Sequence, residues 1–194
     1  VESARAALRG GATWLGVYAA GEGLELREAG ITAPILVLGP TLPEWVREAV
    51  ANDLTLAIPA SSYAQPILDA AAALGVTART HVKVDTGMTR LGLDAHSAAA
   101  EIFEMSKSSR MDIEGIFTHF AVADDPNARG IEKWGEEFTL KQLDTFLRVA
   151  DELERLGVQV RYRHAANSPG SVHYRHPRLN LARGGILLYG LHPS

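Results

Sequence analysis

The sequence contains no cysteine, an absence that removes disulfide frameworks, thiolate metal sites and cysteine nucleophiles together. It has no apolar run approaching the length that spans a bilayer. Nor does it carry an excess of positive charge. Nineteen Lys and Arg stand against twenty-three Asp and Glu, a formal net charge of −4, so no basic field draws in a nucleic-acid backbone or an anionic membrane. Walker-type loops, zinc-ligand spacings and nucleophile elbows are missing as well. The expectation is a cytoplasmic protein with no nucleic-acid partner, no membrane partner and no metal. An initiating methionine is also lacking: a helical pattern over residues 1–9 begins with no capping residue or strand ahead of it, which reads as a chain cut at its front. At the other end Leu191-His192-Pro193-Ser194 reads as an exit from a strand or turn into further chain, and a short polar tail has the same appearance.

What is present is an ordinary globular composition, 46% hydrophobic and 22% charged over 194 residues, enough for one domain spanning 1–194 with a substantial core. Strand-like apolar runs recur at 13–19, 34–38, 54–58, 78–85, 113–120, 158–164 and from 181–182 onward, and helical patterns fill 21–29, 42–51, 62–74, 96–107 and 134–156. Gly30, Gly75 and Gly157 suit helix C-terminal caps. Apolar strands alternating with helices predict an α/β fold with parallel pairing and helices outside. An open doubly wound sheet and a closed (β/α)8 barrel both satisfy the pattern. Seven strands behind a truncated front favour a TIM-type barrel lacking its first strand, and the early Gly21-Glu22-Gly23 lacks the third glycine of a dinucleotide-binding fingerprint.

Polar chemistry gathers where strands are predicted to end, the face that carries ligands in such folds. Along 78–85 the alternation of side chains puts His81, Lys83 and Asp85 on one face and Val82 and Val84 on the other. Lys83 then points inward, where an ammonium must be paired, by Asp85 or another carboxylate, or lose its charge. Arg90, past the Gly87 turn, presents a planar fork suited to a carboxylate or phenolate. His119 closes the run from 113, as a hydrogen-bonded structural residue or a proton relay. His164-Ala165-Ala166-Asn167-Ser168 offers small polar groups that cap a helix or bind an anion. Arg183-Gly184-Gly185-Ile186 offers backbone N–H groups open to close approach, in the loop position where barrels commonly bind phosphate. The polar loop Ala123-Asp124-Asp125-Pro126-Asn127-Ala128-Arg129-Gly130 follows a predicted strand and reads equally as a lid or a plain surface excursion.

These residues resemble the barrel domain of the alanine racemase family, pyridoxal-phosphate enzymes of fold type III. The resemblance covers nearly the whole chain and is strongest over 83–92, 118–124, 164–168, 183–186 and Tyr189-Gly190-Leu191. It implies pyridoxal 5'-phosphate as cofactor, an amino acid as substrate, racemisation of L- and D-alanine for peptidoglycan precursors, and a homodimer. By this resemblance Arg183 lies against the cofactor's pyridine nitrogen, and Arg90 meets the phenolic oxygen and the substrate carboxylate. Lys83, carbamylated in many members, fixes Arg90. His119 relays a proton between Arg183 and a tyrosine from elsewhere, while Ser168, Gly185 and Ile186 hold the phosphate with Asn167 nearby. Thr89 stands where glycine is more usual. The family's cofactor-bearing lysine, on the first strand, and its opposing tyrosine, on a C-terminal β-domain, have no counterparts here, so the chain alone is expected to be inactive. Alternatives are a pyridoxal-phosphate-binding protein without turnover and a racemase for serine or a broader set of amino acids.

Overall fold

Runs of apolar, β-branched residues bounded by glycine or proline become short strands, and the amphipathic runs between them become helices. The structure, a computed structural model, describes residues 1–192. Its contacts group into two compact units, residues 1–82 with 105–114 and residues 83–104 with 115 onward. Pairing is parallel between the strands in each, the α/β class expected from the sequence.

The first unit contains α1 (Glu2–Arg9), β1 (Leu15–Val17), α2 (Ala20–Glu28), β2 (Ile35–Val37), α3 (Pro43–Ala51), β3 (Thr55–Ile58), a 3-10 turn (Ser61–Tyr63) and α4 (Ala64–Leu74). It also holds the first part of β4 (Ala78–Asp85). The register runs Leu15 to Ile35, Leu36 to Thr55 and Leu56 to Thr80. Every residue of β2 and β3 is buried, as expected of strands covered on both faces. Gly75 stops α4 at φ +70°, and the Ile31 N–H closes α2 on the Leu26 carbonyl, both left-handed helix endings. Buried Glu114 accepts a hydrogen bond from the Thr55 hydroxyl at 3.0 Å and lies 3.6 Å from His81 Nε2, so His81 belongs to this structural cluster.

The second unit contains the end of β4, β5 (Leu93–Asp94), most of α5 (Ala98–Ser106), the end of β6 (Met111–Phe117), α6 (Trp134–Arg155), β7 (Tyr162–His164), α7 (Ser168–His173) and a 3-10 turn (Ile186–Tyr189). β6 pairs with β7 from Gly115–Tyr162 to Phe117–His164. The 22 residues of α6 bury Leu143, Phe146, Val149, Ala150 and Leu153, the i, i+3, i+4 stripe of a helix packed on a core. Burial of a side chain such as Phe146 contributes roughly 1.5–3 kcal/mol.

Three features differ from the sequence expectation. No strand forms at 181–182; that stretch runs beside β7 through Asn180, whose backbone N–H donates to the Arg163 carbonyl and whose side chain bonds both Arg163 N–H and Arg161 carbonyl. The Arg183 N–H then donates to the Ala166 carbonyl, so a side-chain amide replaces part of a backbone ladder. His119 lies two residues beyond the end of β6. β5 and α7 are unanticipated, being too short to carry a periodic signal. Of the terminal segment 191–194, Pro193 and Ser194 lie outside the described residues.

β5 shows how the loop carrying Arg90 is fixed. It doubles back parallel to β4, pairing Val84 with Leu93 and Asp85 with Asp94. Gly92 makes the return at φ +135°, and a Cβ there would lie 2.5 Å from the Asp85 nitrogen and 2.8 Å from the Val84 carbonyl carbon. Thr89 holds φ +52°, a conformation costly for a β-branched residue. Gly92→Ala is therefore expected to lower stability by at least about 2 kcal/mol through strain and backbone overpacking. Urea unfolding checks this, and an unchanged midpoint would contradict the doubled-back loop.

Candidate active site

Lys83 comes from β4, where its neighbours Val82 and Val84 are fully buried. Its own exposure is only 5%, and its ammonium lies 5.8 Å from the centroid of the Phe117 ring. Burial lowers its pKa to about 8, with Arg90 and Arg183 pushing the same way and Asp85 opposing. The structural pairing with Asp85 considered from the sequence is not made. The Asp85 carboxylate instead accepts the N–H groups of Gly87 at 2.8 Å and Thr89 at 3.1 Å, where it fixes the loop. Arg90 is exposed at the far side of that loop.

Arg183, half-buried, is held by neutral groups. Its Nη1 donates to His164 Nδ1 at 2.7 Å, and Nη2 donates to the carbonyls of Thr118 at 2.7 Å and Ala165 at 3.1 Å and to His119 Nδ1 at 3.3 Å. The guanidinium carbon stands 5.4 Å from the Phe117 ring centroid, and His164 stacks on that ring at 4.9 Å. A guanidinium only donates, so both Nδ1 atoms accept, which assigns a neutral imidazole with its proton on Nε2 to each histidine. Burial lowers the His119 pKa to about 4, assisted by Arg183, Lys83 and Arg90. Burial also lowers Arg183, to about 10, which leaves it charged at neutral pH.

Asn167 is the N-cap of α7; its side-chain oxygen accepts the Gly170 N–H at 3.0 Å and its amide donates to the Phe120 carbonyl at 3.4 Å. The capping role open to Ser168 on sequence grounds thus falls to its neighbour. The Ser168 hydroxyl oxygen instead accepts the N–H groups of Gly185 at 2.9 Å and Leu187 at 3.4 Å, so its own proton is not committed by either bond. Nothing lies within 4 Å of where a Cβ would sit on Gly184 or Gly185, which leaves that backbone open, and Ile186 follows in the 3-10 turn.

The structure therefore gathers Lys83, Arg90, His119 and Arg183 into one electrostatically coupled group, and brings Ser168 to Gly185. Three cations, two neutral imidazoles and one carboxylate committed to its own loop make a site suited to an anion. His164, Phe117, Thr118 and Gln142 were not anticipated as site residues. Gln142 had a readable signal, as a polar side chain in the buried stripe of α6. His164 acquires its partner from a residue nineteen positions away, which no local pattern shows. Among the described residues there is no cluster of three or more potential metal ligands of the His, Cys, Asp and Glu types, and no helix is long and apolar enough to cross a membrane.

Comparison with known proteins matches residues 1–193 to a family model described as the alanine racemase N-terminal domain. Alanine racemase 1 of Oceanobacillus iheyensis is 39% identical over all of this chain. The structure of alanine racemase from Clostridium difficile 630 in complex with cycloserine superposes over the whole chain with a TM-score of 0.92 at 38% identity. A histidine racemase from Leuconostoc mesenteroides subsp. sake superposes over 98% of it with a TM-score of 0.82 at 30% identity. The chain spans 50% of the first of these proteins, 51% of the second and 49% of the third.

Of these three lowered pKa values, those of His119 and Lys83 set a testable pH dependence. An unfolded histidine titrates near 6.5, so the stability gained by keeping His119 neutral is fully present above that pH and is lost as pH falls toward about 4. His119→Asn is expected to flatten the loss of stability between roughly pH 7 and pH 4.5, as measured by urea unfolding. Equal losses in both proteins would contradict the assignment. Lys83 is expected to titrate near 8 when its side chain is followed by NMR.

Proposed function

The chain belongs to the alanine racemase N-terminal domain family, and from that premise we propose that it is the cofactor-binding part of a longer pyridoxal 5'-phosphate-dependent alanine racemase, interconverting L- and D-alanine. The observation that carries this reading is the cationic group of Lys83, Arg90 and Arg183, in which, among the described residues, Arg183 is bonded to neutral acceptors and Asp85 is committed to its own loop. Such a site fits a ligand with a phosphate, a phenolate and a carboxylate. The Ser168 hydroxyl, the Gly185 N–H and the adjoining Ile186 suit the phosphate, with Asn167 shaping the turn. Arg183, with N–H groups beyond those bonded to its neighbours, suits the pyridine nitrogen.

Bound pyridoxal phosphate supplies an electron-withdrawing ring that acidifies the α-hydrogen of an amino acid joined to it. Arg183 holds its proton at neutral pH, so it donates a hydrogen bond to the ring nitrogen without protonating it, which favours returning the proton to the carbon it left. Arg90 orients the phenolic oxygen and the substrate carboxylate. Lys83 holds Arg90 once its neutral amine has joined carbon dioxide, forming an N–C bond and releasing a proton to solvent. A pKa near 8 supports that step, because only the unprotonated amine reacts. His119, with Nδ1 accepting from Arg183 and its proton on Nε2, is suited to donating that proton to the oxygen of a tyrosine contributed from outside this chain and taking it back, while Arg183 keeps its own. In this reading the cofactor-bearing lysine also comes from outside it, the whole protein is a cytoplasmic homodimer, and its product feeds peptidoglycan synthesis.

A broader substrate range remains a second reading, favoured by the likeness to a histidine racemase. A binding protein without turnover has no need of both Arg90 and Lys83. The deciding experiment is deuterium incorporation at the α-carbon of L- and D-alanine in heavy water, using the complete reading frame with cofactor added. Label is expected in both enantiomers; cofactor binding without exchange would replace this reading with that of a carrier. Ser168→Ala is expected to weaken cofactor binding on the order of tenfold, the loss of about one hydrogen bond to a charged group, as followed by titration of cofactor absorbance. Unchanged affinity would remove Ser168 from the phosphate site.

A further inference from the structure

Gln142 is a polar residue on the buried face of α6, 1% exposed, in register with Leu143, Phe146 and Val149. Its amide is fully engaged. The side-chain oxygen accepts the Ala121 N–H at 3.0 Å, and the nitrogen donates to the His119 carbonyl at 3.1 Å and to the Thr86 hydroxyl at 3.4 Å. Thr86 in turn shares a 2.8 Å hydrogen bond with Thr118. One side chain thus joins the segment leaving β4 to the segment leaving β6.

The position of this clamp matters because of where β6 stops. The Thr118 N–H still donates to the His164 carbonyl, but the peptide groups on either side of Phe120 lie past the end of the strand. Gln142 supplies to the His119 carbonyl and the Ala121 N–H the pair of bonds that a neighbouring strand would otherwise give. At 3.3 Å, the contact between His119 Nδ1 and Arg183 is long for an N–H donor, which prefers about 2.9–3.0 Å. That weak contact leaves the position of the ring dependent on the backbone that carries it.

From this geometry we infer that Gln142 is a positioning residue, holding the backbone of His119 so that Nδ1 meets Arg183 and the ring proton stays on Nε2. Its catalytic consequence rests on the racemase reading; its effect on His119 does not. The charged groups coupled to His119 are Arg183, Lys83 and Arg90, and His164 faces the same guanidinium. A neutral amide adds no charge to that set, whereas a carboxylate in its place would.

The test uses the complete protein with Gln142→Met, which removes all three bonds, and Gln142→Glu, which keeps the shape but when ionised cannot donate to the His119 carbonyl. Ring nitrogen shifts of His119, measured by NMR without substrate, report which nitrogen carries the proton. Both variants are expected to lose the uniform Nε2–H form, and Gln142→Glu to raise the His119 titration midpoint. In turnover of alanine, kcat is expected to fall on the order of tenfold, as small misplacements of an acting group do, with KM changing less than about threefold by the same argument. Should Gln142→Met fail to fold, Gln142→Glu decides alone. Unchanged ring shifts and unchanged kcat, with only a lowered unfolding temperature, would overturn the inference. Altered ring shifts in a protein whose wild type exchanges no α-hydrogen would sustain it while refuting the racemase reading.

Discussion

The guanidinium of Arg183 is held by two imidazole nitrogens and two backbone carbonyls, and the rest of the site depends on that choice of neutral acceptors. A carboxylate in contact would have fixed the side chain equally well but cancelled its field. Neutral acceptors fix it and leave the charge intact. That charge adds to burial, the larger cause, in lowering the basicity of His119 and of Lys83. Both histidines act as acceptors through Nδ1, and for His119 burial, with the cation it accepts from, keeps the ring neutral.

Acidic side chains are placed accordingly. Asp85 neighbours Lys83 in sequence but is turned into its own loop, capping two N–H groups. Glu114, in the first unit, is likewise occupied with a hydroxyl and an imidazole. Ordinary ion pairs are found on exposed ground, between Arg148 and Asp144 and between Arg5 and Glu2, where they contribute little to stability. Asp85, two residues from Lys83, thus acts as local scaffolding for its own loop.

Much of this was legible in the sequence. β4 is predicted at its observed limits because its eight residues alternate strongly, and α6 because its stripe runs for six turns. The same reading puts Lys83 in β4 and His119 close to the end of β6, whereas the strand expected ahead of Arg183 does not form. What was not legible depends on partners distant in the chain. Asn180 substitutes for a strand because its amide happens to meet β7, and β5 forms only because Gly92 turns the loop back on its origin. The division of labour between Asn167 and Ser168 is a matter of which oxygen reaches the helix end, and composition does not decide it.

The doubling back of residues 86–94 onto β4 has a consequence for how such a protein can change. Arg90 is carried by a segment that takes its register from the same strand that bears Lys83, so the spacing of the two is set by a local template and not by the helices packed around it. Drift in those helices can then alter stability or neighbouring surfaces while the pair keeps its alignment. An inserted or deleted residue between Gly87 and Gly92 has no such latitude, since it would shift the returning strand against its own template. Sequence variation among proteins built this way should accordingly be free in the outer shell and confined to substitution, not length change, inside that short loop.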